Sequence, residues 1–189
     1  MQKVISPIET EIKLALVNVP RAVSTIQSIG LVVSRERCLE RNSLFDTPSR
    51  SLSTAGLALR LRVSGDCVTL TQKGPAQKGR HKIREEHEVG LSDFGQMDRI
   101  LHNLGLEVAF RYEKYRTEFR PLEGPGVVML DETPIGNYLE IEGEPSWIDD
   151  TARLLGFKES DYLTESYGSL YQKHCEGSGL IASNMLFTH

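Results

Sequence analysis

The chain has 189 residues, 39% hydrophobic and 25% charged, a composition that fits one soluble globular domain with a sizeable core. A net charge of −4 and a pI of about 5.8 exclude a global basic field, so nucleic acid is not an expected partner. No apolar run reaches the roughly 18–20 residues that cross a bilayer, no basic leader with an apolar core opens the chain, and Cys38, Cys67 and Cys175 form no CxxC pair. The expectation is a cytoplasmic protein with free thiols, no membrane partner and no cysteine metal site.

The first element is a strand, IETEIKLAL, with Ile8, Thr10, Ile12, Leu14 and Leu16 on one face and Glu9, Glu11 and Lys13 on the other. A short helix follows in PRAVSTIQSIG, opened by Pro20 and stopped by Gly30. RERCLERNSLFDT is the next strand and ends at a Pro-Ser turn. LALRLRVSGDCVTLTQKG holds two strands joined at Ser64, Gly65 and Asp66. Within it Leu57, Leu59, Leu61 and Val63 oppose Arg60 and Arg62, and Thr69, Thr71 and Lys73 share a face. HKIREEHEVGL aligns Arg84, Glu86 and Glu88. LSDFGQMDRILHNLG predicts a helix capped by Ser92 or Asp93 and stopped by Gly105, with Phe94, Met97, Ile100, Leu101 and Leu104 as its apolar stripe. FRYEKYRTEFR, GVVMLDETP and GNYLEIEG are strands. Lys114 and Arg116 share a face between Tyr112 and Glu118, Asp131 ends the second strand, and Glu140 and Glu142 oppose Leu139 and Ile141. PSWIDDTARLLGF is a helix capped by Ser146 and stopped by Gly156, and TESYGSLYQKH is the last helix. Residues 1–176 form a single domain in this reading, and residues 177–189 a tail that is mobile or binds a partner.

A one-sided sheet packed on helices would show the same alternation, with its charges solvated. Two features favour closure. Arg60, Arg62, Lys73, Lys114 and Arg116 stand with no carboxylate between them on their own faces, and the helices are too few to cover a broad sheet. The expected fold is therefore mainly β (α+β): an eight-stranded antiparallel closed barrel with a charged interior, flanked by a few helices. Like charges about 6 Å apart repel by roughly 2–3 kcal/mol at an effective dielectric near 20. Glu9, Glu11, Glu86, Glu88, Glu140 and Glu142 are expected to offset this only in part, being unable to reach cations on distant strands. A bound polyanion is thereby implied. Arginine forks match phosphate oxygens, and the hard carboxylates suit Mg2+ or Mn2+, which is the composition of a phosphoryl-transfer site.

The same residues carry a family resemblance. ETEIK (Glu9, Glu11, Lys13) resembles the ExExK signature of the CYTH superfamily, the triphosphate tunnel metalloenzymes. That family includes class IV adenylyl cyclases, thiamine triphosphatases and inorganic triphosphatases. LFDTPSRSLSTAGLALRLR, LTQKGP, REEHEV, EKYR, LDETPIGNYLEIEG and ESYGSLY follow in the family's order, so the resemblance spans residues 8–171. It implies an eight-stranded barrel open at both ends, with a triphosphate held inside by basic residues and a divalent metal on acidic ones. At matching positions Glu9, Glu11, Glu140 and Glu142 are similar to metal ligands. Lys13, Arg60, Arg62, Lys73, Arg84, Lys114 and Arg116 are similar to triphosphate-binding residues. Glu86, Glu88 and Asp131 match further acidic positions and join Glu9, Glu11 and Lys13 in the implied catalytic set. Leu44 replaces the family's aromatic residue before FDTP, and the KGP loop with Lys82 to Glu88 is closer to the class IV cyclase branch.

The lead expectation is Mg2+- or Mn2+-dependent hydrolysis of a small-molecule linear triphosphate. The alternative is an adenylyl cyclase, with the 3′-hydroxyl of ATP attacking the α-phosphorus and pyrophosphate leaving. A non-catalytic polyphosphate or nucleotide sensor comes third, since it would need the cations but not the carboxylates. A lipocalin-like carrier is disfavoured because its lumen would need the apolar faces inward. A homodimer stays open. His81 and His87 are expected to face solvent, Trp147 to anchor a helix, and Tyr167 either to pack the last helix near the tunnel mouth or to touch the ligand.

Overall fold

The structure is a computed structural model that describes residues 8–77 and 79–188; the ends of the expected domain and tail, before Ile8 and at residue 189, lie outside them. Among the described residues, eight strands close into an antiparallel barrel. They are β1 (Ile8–Leu16), β2 (Val32–Asp46), β3 (Ala58–Ser64), β4 (Cys67–Lys73), β5 (Lys82–Leu91), β6 (Glu107–Arg120), β7 (Val127–Thr133) and β8 (Gly136–Glu142). Their order around the wall is β1-β5-β4-β3-β2-β6-β7-β8. The expected fold class is what forms.

Directly opposed residues on neighbouring strands share a face, so register decides where the charges go. Glu11 lies opposite Lys82 on one side and Glu142 on the other. Arg62 lies between Asn42 and Thr69, and Arg116 between Cys38 and Asp131. The polar faces of β1, β3, β5, β6 and β8 therefore converge inside. The apolar faces turn outward and are covered in two patches. α1 (Val19–Ser28) and α4 (Pro145–Leu154) bring Ile26, Ile148 and Ala152 onto Ile12, Leu14, Val128, Leu139 and Ile141. α3 (Phe94–Asn103) packs Leu101, with Phe94 and Met97, on Phe45, Leu61 and Leu70. Each side chain fully buried this way contributes roughly 1.5–3 kcal/mol, which lets few helices stabilise a closed sheet.

The helix signals hold with local shifts. Asn18 caps α1, its side chain accepting from the Arg21 amide with Pro20 in the first turn. Asp93, not Ser92, caps α3. The cap position of α4 is Glu144 rather than Ser146, because Pro145 starts the helix, where its missing N–H costs nothing. A single turn, α2 (Ser51–Thr54), was not anticipated; the Asp46 carboxylate organises it by accepting from the Leu52 and Ser53 amides. α5 (Tyr167–Ser178) ends at Gly179, whose φ of +68° suits glycine.

Two single-residue bridges complete the wall at one end. Past the point where β5 stops pairing with β1, Leu163 exchanges backbone hydrogen bonds with Lys13 at 2.8 and 2.9 Å. Beyond the end of β7, Met185 pairs beside Tyr112, bonding Arg111 and Glu113 at 2.9 Å. α5 connects the two bridges and sends Tyr167 into the barrel. Met185 in the segment after α5 is fully buried against Tyr112 and Tyr167, and the Tyr171 hydroxyl donates to the Asn184 carbonyl at 3.1 Å. The resemblance implied two open ends; here Tyr167 occupies part of one. His81 is also not solvent-facing: it is buried against Asp149 of α4, whereas His87 is exposed. Trp147 does anchor its helix, its indole lying where a Cβ on Gly126 would stand 2.5 Å away. Among the described residues no helix is long and apolar enough to cross a membrane.

Candidate active site

The barrel encloses a cavity of about 660 Å³. All seven cations singled out above line it: Lys13, Arg60, Arg62, Lys73, Arg84, Lys114 and Arg116. So do Glu9, Glu11, Glu86, Glu88, Glu140 and Glu142. Asp131 does not line the cavity. It is wholly buried behind the cations, accepting from Lys114 at 2.9 Å, from Arg116 at 2.7 and 2.6 Å, and from the Tyr167 hydroxyl at 2.6 Å.

The expectation that the carboxylates could not reach distant cations is overturned. Lys73 of β4 lies 2.9 Å from Glu9 and 2.6 Å from Glu86. Arg84 donates to Glu9 at 2.8 Å, and Lys13 lies 3.2 Å from Glu11 and 3.0 Å from Glu140. Arg60 and Arg62 converge on Glu88 at 3.5 and 3.0 Å, and Arg116 bonds Glu140. Closure of a narrow barrel brings strands far apart in sequence within reach of a lysine or arginine stem. The lumen is thus an ion-pair network in which each of the seven cations has a carboxylate within 4 Å. Uncompensated positive charge alone therefore does not require a polyanion.

Two lining or supporting groups, Lys82 and Glu40, escaped the sequence reading. Lys82 is buried and donates to Glu11 at 2.9 Å; extending the Arg84, Glu86, Glu88 alternation back one step reaches it. Glu40, 1% exposed, sits 3.6 Å from Lys114 and 3.7 Å from Arg62. Burial pushes its carboxyl up, but Lys114, Arg116 and Arg62 outweigh that and hold it at about 2. Tyr112 lines the cavity one step from Lys114. Glu40 carries no motif, and only pairing of β2 with β6 reveals it, whereas the alternation of β6 already set Tyr112 on the face of Lys114.

The acidic side of the lumen is unevenly compensated. Burial raises Glu9, yet Lys73 and Arg84 overcome it and hold the carboxyl far below its ordinary range. Glu142 is the opposite case. Burial and the charges of Glu9, Glu11 and Glu86 push it from 4.5 up to about 7. The folded state therefore keeps a proton that the unfolded chain loses above about 4.5. This contribution to stability is complete below about 4.5 and is lost as pH rises through about 7. In metal-free protein Glu142→Gln is expected to remove that falling component from a plot of melting temperature between pH 4.5 and 7. An unchanged profile would show that another group titrates there.

Among the described residues no three acidic or imidazole side chains already converge as a metal cage, since Glu9, Glu11 and Glu140 are turned onto lysine and arginine. The donor chemistry nevertheless fits a divalent cation: hard carboxylate oxygens repelling one another around Glu142 are what such an ion relieves.

The family profile described as the CYTH domain matches residues 7–167. A Methanocaldococcus jannaschii protein named "Putative adenylate cyclase" is 26% identical over 148 residues, covering 78% of this chain and 83% of its own. A Vibrio parahaemolyticus protein named in the same way has a solved structure that superposes with a TM-score of 0.80 at 22% identity, over 89% of this chain and 99% of its own. A Hippeastrum structure, described as a "Putative adenylyl cyclase" that reveals a dominant triphosphatase activity, gives a TM-score of 0.65 at 20% identity, over 92% of this chain and 97% of its own.

Proposed function

This chain belongs to the CYTH family, and from that premise we propose that it is a divalent-metal-dependent phosphohydrolase acting on a linear triphosphate held in its barrel. The observation that carries the reading is the asymmetry of the lumen. Cations from β3, β4, β5 and β6 face the acidic cluster of Glu9, Glu11, Glu86 and Glu142, in which Glu9, Glu11 and Glu86 are ion-paired while Glu142 has no cation within 4 Å among the described residues. A balanced network accepts a triphosphate most readily when positive charge arrives with it, which is what metal-bound phosphate brings.

Glu9, Glu11 and Glu142, with Glu140, would hold the cation. Bound there, it supplies charge neutralisation and polarisation of phosphate oxygens. Lys13, Arg60, Arg62, Lys73, Arg84, Lys114 and Arg116 bind the non-bridging oxygens, the arginine forks fixing orientation and the lysines acting as point charges. As charge moves onto the leaving oxygen, these same donors stabilise it without reorganising. Glu86 is raised by burial and by Glu9 against the pull of Lys73, which makes it a stronger base than an ordinary glutamate. It accepts the proton of the attacking water, and Glu88 keeps Arg60 and Arg62 aligned.

The Hippeastrum protein's described activity supports hydrolysis, while the M. jannaschii protein's name supports the second reading, cyclisation of ATP. One panel separates them. Protein is incubated with Mg2+ or Mn2+ and, in turn, tripolyphosphate, ATP and thiamine triphosphate, and the products are identified. Orthophosphate supports hydrolysis; cyclic AMP with pyrophosphate replaces it with the cyclase. Binding is checked first by melting. At a hundred times its dissociation constant a ligand stabilises by about 2.7 kcal/mol, a rise of about 5–10 °C for a domain of this size. No shift at millimolar tripolyphosphate would count decisively against the tunnel as a triphosphate site.

A further inference from the structure

Outside the barrel, a polar cluster joins the loop before β5 to α4. His81, 5% exposed, places Nε2 2.8 Å from Oδ1 of Asp149. The Tyr162 hydroxyl donates to the same oxygen at 3.2 Å, and Arg80 donates to Oδ2 at 2.6 Å. Nothing in the proposed chemistry uses this cluster. Its neighbour in sequence is Lys82, whose backbone enters the barrel opposite Glu11 and whose ammonium lines the cavity.

Lys82 differs from the other lumen cations in its compensation. Among the described residues its carboxylate partner within 4 Å is Glu11 at 2.9 Å, and Glu11 is shared with Lys13 at 3.2 Å and Arg84 at 3.7 Å. Lys13 also has Glu140, and Arg84 also has Glu9. Three cations thus draw on one carboxylate, and Lys82 is the one with no second anion. We propose that Lys82 is a further phosphate-binding residue of the tunnel and that Asp149, through His81, is the residue that positions it. The inference rests on the triphosphate reading of the lumen. A lysine is a point charge on a flexible stem, so the affinity it adds depends on how firmly its backbone is set. The β4–β5 loop, residues 74–81, carries Gly74, Pro75 and Gly79 and is tied to α4 by this cluster immediately before the strand begins. Tyr162 and Arg80 hold the Asp149 carboxylate in place for His81.

The test is calorimetric titration of the full chain with inorganic tripolyphosphate in the absence of metal and turnover. Lys82→Gln is expected to weaken binding about tenfold, the scale of one charge-assisted hydrogen bond. Asp149→Ala should weaken it several-fold in the wild-type background and not at all once Lys82→Gln is present. Asp149→Asn keeps an acceptor for His81 and should bind close to wild type. If Asp149→Ala does not fold, His81→Ala breaks the same contact from the loop side and should show the same dependence on Lys82. Unchanged binding by Lys82→Gln, or an equal loss from Asp149→Ala or His81→Ala in both backgrounds, overturns the inference while leaving the function in place. Wild-type protein that binds tripolyphosphate neither alone nor with Mg2+ overturns the triphosphate reading itself and this inference with it.

Discussion

Glu9→Gln is expected to lower metal-dependent orthophosphate release from tripolyphosphate by at least about a hundredfold while the barrel stays folded. The magnitude follows from the sensitivity of metal sites: groups that merely support a ligand already cost 10–100-fold when changed, and Glu9 is proposed as a ligand itself. Folding survives because its partners do not depend on it alone. Lys73 retains Glu86 at 2.6 Å, and Arg84 retains Glu11 at 3.7 Å. Glutamine also keeps an oxygen to accept from both. The equivalent change at Glu11 is a poorer experiment, since Lys82 would be left without its carboxylate. The measurement is product release with Mg2+ or Mn2+ alongside a melting curve. Wild-type turnover in a folded Glu9→Gln protein would remove Glu9 from the metal site.

Asp131→Ala is expected to destabilise the protein by about 3–5 kcal/mol, the range for removing one partner of a buried charge network. For a domain of this size that is a fall in melting temperature of about 6–20 °C. Asp131 is 0% exposed and is the shared acceptor of Lys114, Arg116 and the Tyr167 hydroxyl. Deleting it leaves two cations and a hydroxyl with fewer partners in a region water does not reach. It also loosens the one side chain by which α5 enters the barrel. Tyr167→Phe serves as the comparison, because it removes a single hydrogen bond, worth about 1 kcal/mol. The Lys114 and Lys13 ammoniums, 5.0 and 5.4 Å from the ring centroid, remain over phenylalanine. A melting temperature for Asp131→Ala no lower than that of Tyr167→Phe would show that Glu40 and Glu140 hold the cations without it.

The inward-facing set was largely legible because a strand has a period of two. Glu9, Glu11 and Lys13, or Arg60 and Arg62, declare a common face from spacing alone, and the apolar residues between them declare the other. The helix caps and glycine stops were legible for the same local reason, with errors of one or two positions where Pro145 competed with Ser146 for the helix start. Lys82 was missed at the margin of a strand, where alternation has fewer residues to support it. His81 was misjudged because its partner, Asp149, lies 68 residues away on a helix face. No local pattern distinguishes a loop histidine in solvent from one buried on a remote carboxylate.

Sequence alone, through alternation and motif order, determined the strands, their closure with polar faces inward, and most of the residues that line the lumen. Only the tertiary structure decided how those charges are matched. Lys73 meets Glu9 across 64 positions and Lys82 meets Glu11 across 71, and such pairing depends on strand order and register that no single segment encodes. That is why a lumen expected to be short of negative charge proved to be a connected ion-pair network. It is also why Glu142, an ordinary glutamate in the pattern, became a group pushed up by burial and by the charges of Glu9, Glu11 and Glu86. Coulomb energy depends on distance in space, and the barrel sets those distances.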